Sequence, residues 1–195
     1  MTTPTAPVSA QQASCSLDVT LVDVESDHIR LHYIFTNGSP MTALLFNRLF
    51  SHIDPAGVFH TSPATLYVDV DPRAVVLAKK LVPVPPDIDV EAPEIPLITA
   101  VRPGDRFEET FSIPLPLKPH LPYGSPDGAL GDPAPLDAWF ELGLLLVPPE
   151  GAKLAREVRT TEGVALYLAP VTPATQIVLR AGPLPVKLTA RAPAL

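Results

Sequence analysis

Cysteine is almost absent: Cys15 is the single one in 195 residues, so no intrachain disulfide framework can form. Nothing near it in sequence would depress its pKa, and it reads as a passive thiol at the edge of a first strand, in a reducing compartment. Cations are few and scattered, with 14 Lys and Arg against 21 Asp and Glu. The resulting net charge of −7 offers no positive field to phosphates, so nucleic acid is not an expected partner. No apolar run approaches the roughly 20 residues of a membrane span. The N-terminal MTTPTAPVSAQQAS has neither the basic start nor the apolar stretch of a secretory signal, and the expected location is the cytoplasm. Enzyme signatures are missing too. There is no G-x-S-x-G elbow, since Gly124-Ser125-Pro126 lacks the second glycine, and no P-loop or dinucleotide-binding glycine pattern. No cofactor is expected.

Proline is present in excess, with 26 residues. Each removes a backbone donor and breaks a helix interior, so few windows could hold a long helix. Period-2 alternation fills the gaps between turns. Leu17, Val19 and Leu21 alternate with polar neighbours, Ser26-Asp27 breaks the run, and Ile29, Leu31, Tyr33 and Phe35 alternate again before Asn37-Gly38-Ser39-Pro40. Further strands are predicted over 41–50, 64–70, 107–113, 138–147, 154–159, 164–169, 176–180 and 184–190, with 74–82 either a strand or one to two helical turns. The 138–147 run is apolar on both parities and is expected to be central, with Trp139 in the core. Glu109 falls on the inward parity of its strand and is expected to be absorbed at the strand end. Turn signals recur at sandwich spacing. The predicted architecture is all-β: an antiparallel, immunoglobulin-like β-sandwich with long Pro-rich loops at 83–96 and 118–137 and little helix. Residues 15–190 form the domain, with the 118–137 loop as the alternative boundary. Residues 1–14 form a flexible tail and 191–195 a second one.

The stretch Leu31-His32-Tyr33-Ile34-Phe35-Thr36-Asn37, followed later by Pro103-Gly104-Asp105 and a strand, resembles bacterial immunoglobulin-like and fibronectin-type sandwich domains. In those an early aromatic strand ends at an Asn and a Pro-Gly turn introduces a later one. The resemblance implies architecture alone, because sandwiches host many unrelated functions.

Five histidines raise the question of a metal. His28 and His32 lie four apart, which on a strand is about 13 Å, too far to share an ion. His52 and His60 flank a turn and could meet across a hairpin, while His120 lies in the long loop; no metal site is predicted. Asp87, Asp89 and Glu91 alternate along a proline-rich stretch with no glycine for a calcium loop, and read as a solvated edge. The remaining reading is a binding one. A rigid scaffold presents two irregular surfaces, and the apolar residues within them, Ile88, Val90, Ile95, Leu121, Tyr123 and Leu130, are the candidate contacts with another protein or with a second copy. The function expected is a non-catalytic binding, accessory or assembly module that recognises another protein through a sheet edge or these loops. The alternatives are an enzyme with a loop-built small-molecule site and a self-associating structural component.

Overall fold

A computed structural model describes residues 5–124 and 131–192. The strands are β1 (Val8–Gln12), β2 (Cys15–Val24), β3 (His28–Asn37), β4 (Thr42–Arg48), β5 (Phe50–Ile53), β6 (Phe59–Thr61), β7 (Tyr67–Val70) and β8 (Ala74–Lys79). They continue with β9 (Leu97–Val101), β10 (Arg106–Pro114), β11 (Ala134–Val147), β12 (Arg156–Thr160), β13 (Gly163–Tyr167), β14 (Ile177–Ala181) and β15 (Lys187–Ala190). Among the described residues, helix is confined to one turn at Pro149–Ala152 and a 3₁₀ turn at Pro173–Thr175. The protein is all-β, with two sheets.

The smaller sheet runs β1-β2-β3-β10. The larger, curled into a half-barrel, runs β5-β6-β12-β13-β9-β4-β11-β8-β7, with β14 and β15 also paired to β11. Strand β11 is its spine. Phe140, Glu141 and Leu142 pair with β8 and also with β14, so two strands flank it over the same residues. The apolar parities read from the sequence become the interior: Leu17, Val19, Ile29, Leu31, Tyr33, Phe35, Phe111 and Ile113 of the small sheet meet Val75, Leu77, Ala138, Phe140 and Leu142 of the large one. A second apolar cluster, around Leu44, Phe46, Leu81, Ile98 and Leu145, covers the other face of the large sheet.

Asn37 makes the corner between sheets. Its Nδ2 donates to the carbonyls of Met41 at 2.8 Å and Val101 at 2.9 Å, and its Oδ1 accepts from the Ser39 hydroxyl at 2.7 Å and the Ser39 N–H at 3.1 Å. The Pro103-Gly104 turn closes beside it, with Asp105 N–H donating to the Arg102 carbonyl and Gly104 at φ +81°, the positive φ that its type requires.

The structure corrects several expectations. Residues 8–12, expected in a tail, form β1 through a two-residue hairpin in which Ala13 (φ 51°) and Ser14 (φ 63°) are both left-handed. The sheets are not purely antiparallel: β8 and β11 pair in parallel, as do β6 and β12. Between β8 and β11 the chain passes through β9 of the large sheet and β10 of the small one, and it returns beside β8 in the same sense. Trp139 is half-buried on the outer face, under the Arg180 guanidinium at 4.7 Å. Glu109 is mid-strand and buried.

Candidate functional site

Strand β10 is the last strand of the small sheet and pairs with β3 alone among the described strands. The phase of that ladder is set at its ends, where Asn37 N–H donates to the Asp105 carbonyl and Leu115 N–H to the Asp27 carbonyl. In an antiparallel ladder the hydrogen-bonded pairs alternate, so the odd-numbered residues of β10 spend their backbone groups on β3. The even-numbered ones, Arg106, Glu108, Thr110, Ser112 and Pro114, aim theirs at the open edge. No described residue bonds to the N–H groups of Glu108, Thr110 or Ser112. Pro114 falls in the outward phase, where its missing donor deprives no partner.

The inward side chains fix this edge in place. Glu109 Oε2 accepts from Lys79 Nζ at 2.6 Å and from the Tyr33 hydroxyl at 3.1 Å, while Oε1 accepts from Arg48 Nη1. Lys79 has no exposed side-chain surface, and its ammonium lies 4.5 Å from the centre of the Phe111 ring. Burial pushes the Lys79 amine below its ordinary value against the opposing pull of Glu109, and burial pushes the Tyr33 phenol well up, with the Glu109 charge adding to it. Asn47 is fully buried nearby in β4, with neither amide atom hydrogen-bonded at normal geometry among the described residues. Arg48 and Asn47 come from β4, Lys79 from β8, Tyr33 from β3 and Glu109 from β10, so one carboxylate ties both sheets together beneath the open edge.

Past the end of β10 lies an open groove of about 440 Å³, lined by Leu66, Val68, Ile113, Leu115 and Leu117 with Lys118 and His120. It lies between the end of β10 and β7, the end strand of the large sheet, where His120 and Val68 exchange backbone hydrogen bonds of 2.8 and 2.9 Å. A second groove, of about 370 Å³, runs between 81–84, 93–95 and 171–174. Neither contains Lys79, Glu109 or Arg48, so the concave surfaces and the converging charges do not coincide.

No family model, curated protein or solved structure matches the chain. What it does must be read from its own surfaces.

The described loop residues chosen from the sequence lie in different surroundings. Ile95 is buried in the second apolar cluster. Leu121 is half-buried against the cluster of Leu49 and Tyr67. Tyr123 is half-buried, and its hydroxyl accepts from the Glu94 N–H at 2.6 Å. Val90 is half-buried and Ile88 is exposed, both in an irregular crossing that leaves the sheet ladder. Leu130 lies outside the described residues. Glu94 also accepts from the Tyr67 hydroxyl at 2.6 Å, so the 83–96 crossing and the start of the 118–137 loop are fastened to each other and to β7.

His52 and His60 do meet, as parallel-stacked rings 4.0 Å apart and 20° from coplanar, with Asp54 3.5 Å from His60. Imidazole lone pairs lie in the ring plane, so stacked rings do not converge on one ion. No group of three metal-ligating side chains occurs among the described residues. Sequence reasoning missed the Glu109 cluster, although its signal was present. Glu109 and Lys79 each break an apolar parity, after Phe107 and before Phe111 in one strand and after Val75 and Leu77 in the other. Two opposite charges intruding on two core faces are satisfied most simply by each other.

Proposed function

We propose that this protein is a non-catalytic binding module that takes up an extended segment of another protein along the outer edge of β10. The observation that carries this is the row of outward N–H groups at Glu108, Thr110 and Ser112, on a strand of nine residues that has one partner among the described strands. Main-chain hydrogen bonds from such an edge supply affinity, and alternate side-chain positions supply specificity. The Glu109 cluster supports the reading because a strand held to the opposite sheet by a buried carboxylate needs little ordering when it binds. The wider kinship we infer is with immunoglobulin-like sandwiches, on the Asn37 corner and the Pro103-Gly104 turn.

The test is selection from a displayed library of extended peptides, followed by hydrogen exchange on the complexes. Selected peptides are expected to slow exchange at Glu108, Thr110 and Ser112. Ser112→Pro, which removes an outward donor and leaves the bonds to β3 intact, is expected to abolish that binding without lowering thermal stability. Protection elsewhere, or binding indifferent to the proline, would overturn the proposal.

A further inference from the structure

The groove beyond β10 gives the bound segment a chemistry. This inference rests on the proposed use of the β10 edge and goes on to name what that edge selects. The row of outward donors ends before Pro114, which has no N–H to give. A strand advances about 3.4 Å per residue, so a segment bonded to Thr110 and Ser112 reaches the groove within two or three further residues. There the lining changes from backbone to apolar side chain: Leu66, Val68, Ile113, Leu115 and Leu117. On the same lining stand Lys118 and His120, both exposed. Lys118 makes no ion pair among the described residues, although acidic residues outnumber basic ones 21 to 14 across the chain.

We propose that the bound segment runs parallel to β10, so that its C-terminal side enters the groove, which takes an aliphatic side chain followed by an Asp or Glu side chain that pairs with Lys118. A chain terminus is the poorer fit for the same cation. Terminal carboxylates are captured by clustered backbone N–H groups, and prolines at 114, 116 and 119 remove three of those donors around Lys118. The recognised pattern is therefore an internal one: a few residues of any strand-forming type, a Leu-sized anchor, then an acid.

The experiment uses synthetic peptides of alternating Thr and Val that end in Leu-Glu, Leu-Gln or Ala-Glu with an amidated terminus, and one ending in Leu with a free carboxylate. Affinity is read by fluorescence anisotropy and contact by hydrogen exchange at Glu108, Thr110 and Ser112. The amidated Leu-Glu peptide is expected to bind about three- to five-fold tighter than Leu-Gln, the range open to one partly exposed ion pair. Lys118→Gln is expected to erase that difference while β10 protection persists. Equal binding of Leu-Glu and Leu-Gln with β10 protected would overturn the carboxylate inference and leave the edge reading standing. Tighter binding of the free-terminus peptide would overturn it in favour of chain-end capture. Loss of preference for Leu over Ala would remove the groove from the interaction, and absence of β10 protection with every peptide would bring down both proposals.

Discussion

Glu109 is the residue on which both the stability and the rigidity of the β10 edge turn. A buried ion pair gains little over an apolar pair of the same volume, but removing one partner leaves an uncompensated charge at a cost of about 3–5 kcal/mol. Glu109→Leu is therefore expected to destabilise by about that amount, because Lys79 keeps no other acceptor among the described residues and has no surface to reach water. The double variant Lys79→Met/Glu109→Leu is expected to recover most of the loss, since the freed Arg48, a quarter exposed, can turn outward. Urea unfolding of the three proteins checks this, and a double variant as unstable as the single would contradict it. The pH dependence follows from the depressed Lys79 amine. Between its native pKa and the unfolded value of about 10.4, the unfolded chain holds a proton that the native state has released. Stability from this group accordingly rises with pH through that window and is lost as pH falls through the native pKa. Tyr33, pushed upward, works in the opposite sense above about pH 10. The stability of wild type relative to Lys79→Met is expected to grow as pH rises towards the unfolded value of about 10.4. A flat difference in denaturant unfolding across that range would contradict it.

At the scale of elements, legibility followed how each strand is held. Strands β2, β3 and β10 bury one face on the inter-sheet core, so their period-2 pattern is clean and their turns carry Asn37-Gly38 and Pro103-Gly104. Strand β9 was missed because its Leu97–Val101 run is short and emerges from a proline-rich crossing. Strands β5 and β6 hold four and three residues, too few for alternation to show. Strand β1 was hidden by its turn. Two-residue hairpins with both central residues left-handed favour Asn-Gly or Gly-Gly, and this one is built from Ala13 and Ser14. That choice carries strain of about 1 kcal/mol or more per residue. Replacing the pair by Asn-Gly is expected to raise stability by about 1–2 kcal/mol and to slow hydrogen exchange along Val8–Gln12. If exchange there stayed unchanged, β1 would owe its position to something other than the hairpin.

For the whole molecule, an open edge is a hazard as well as an opportunity. The all-β class was legible in the sequence, yet the edge itself could not be found from it, because which strand ends a sheet depends on pairings far apart in the chain. Strand β10 joins β3 across roughly seventy residues. The surroundings of the loop residues chosen from composition were hidden for a related reason. Proline-rich crossings looked exposed, but Ile95 and Leu121 were drawn into apolar clusters and Tyr123 was tied to Glu94. Natural edges avoid pairing with copies of themselves through charges and prolines, and β10 carries both in Glu108 and Pro114. An antiparallel pairing of two copies centred midway between two Glu108 residues would set like charges opposite each other, while one centred on Thr110 would bring Pro114 against Arg106 and waste a bond at each end. Glu108→Val removes the charge and leaves every contact with β3 in place. It is expected to leave unfolding free energy within about 0.5 kcal/mol, as for surface substitutions generally, and to produce concentration-dependent dimers in light scattering where wild type stays monomeric. Dimers of wild type at the same concentrations would mean that Glu108 does not guard this edge, and that a second copy competes with the extended segment for it.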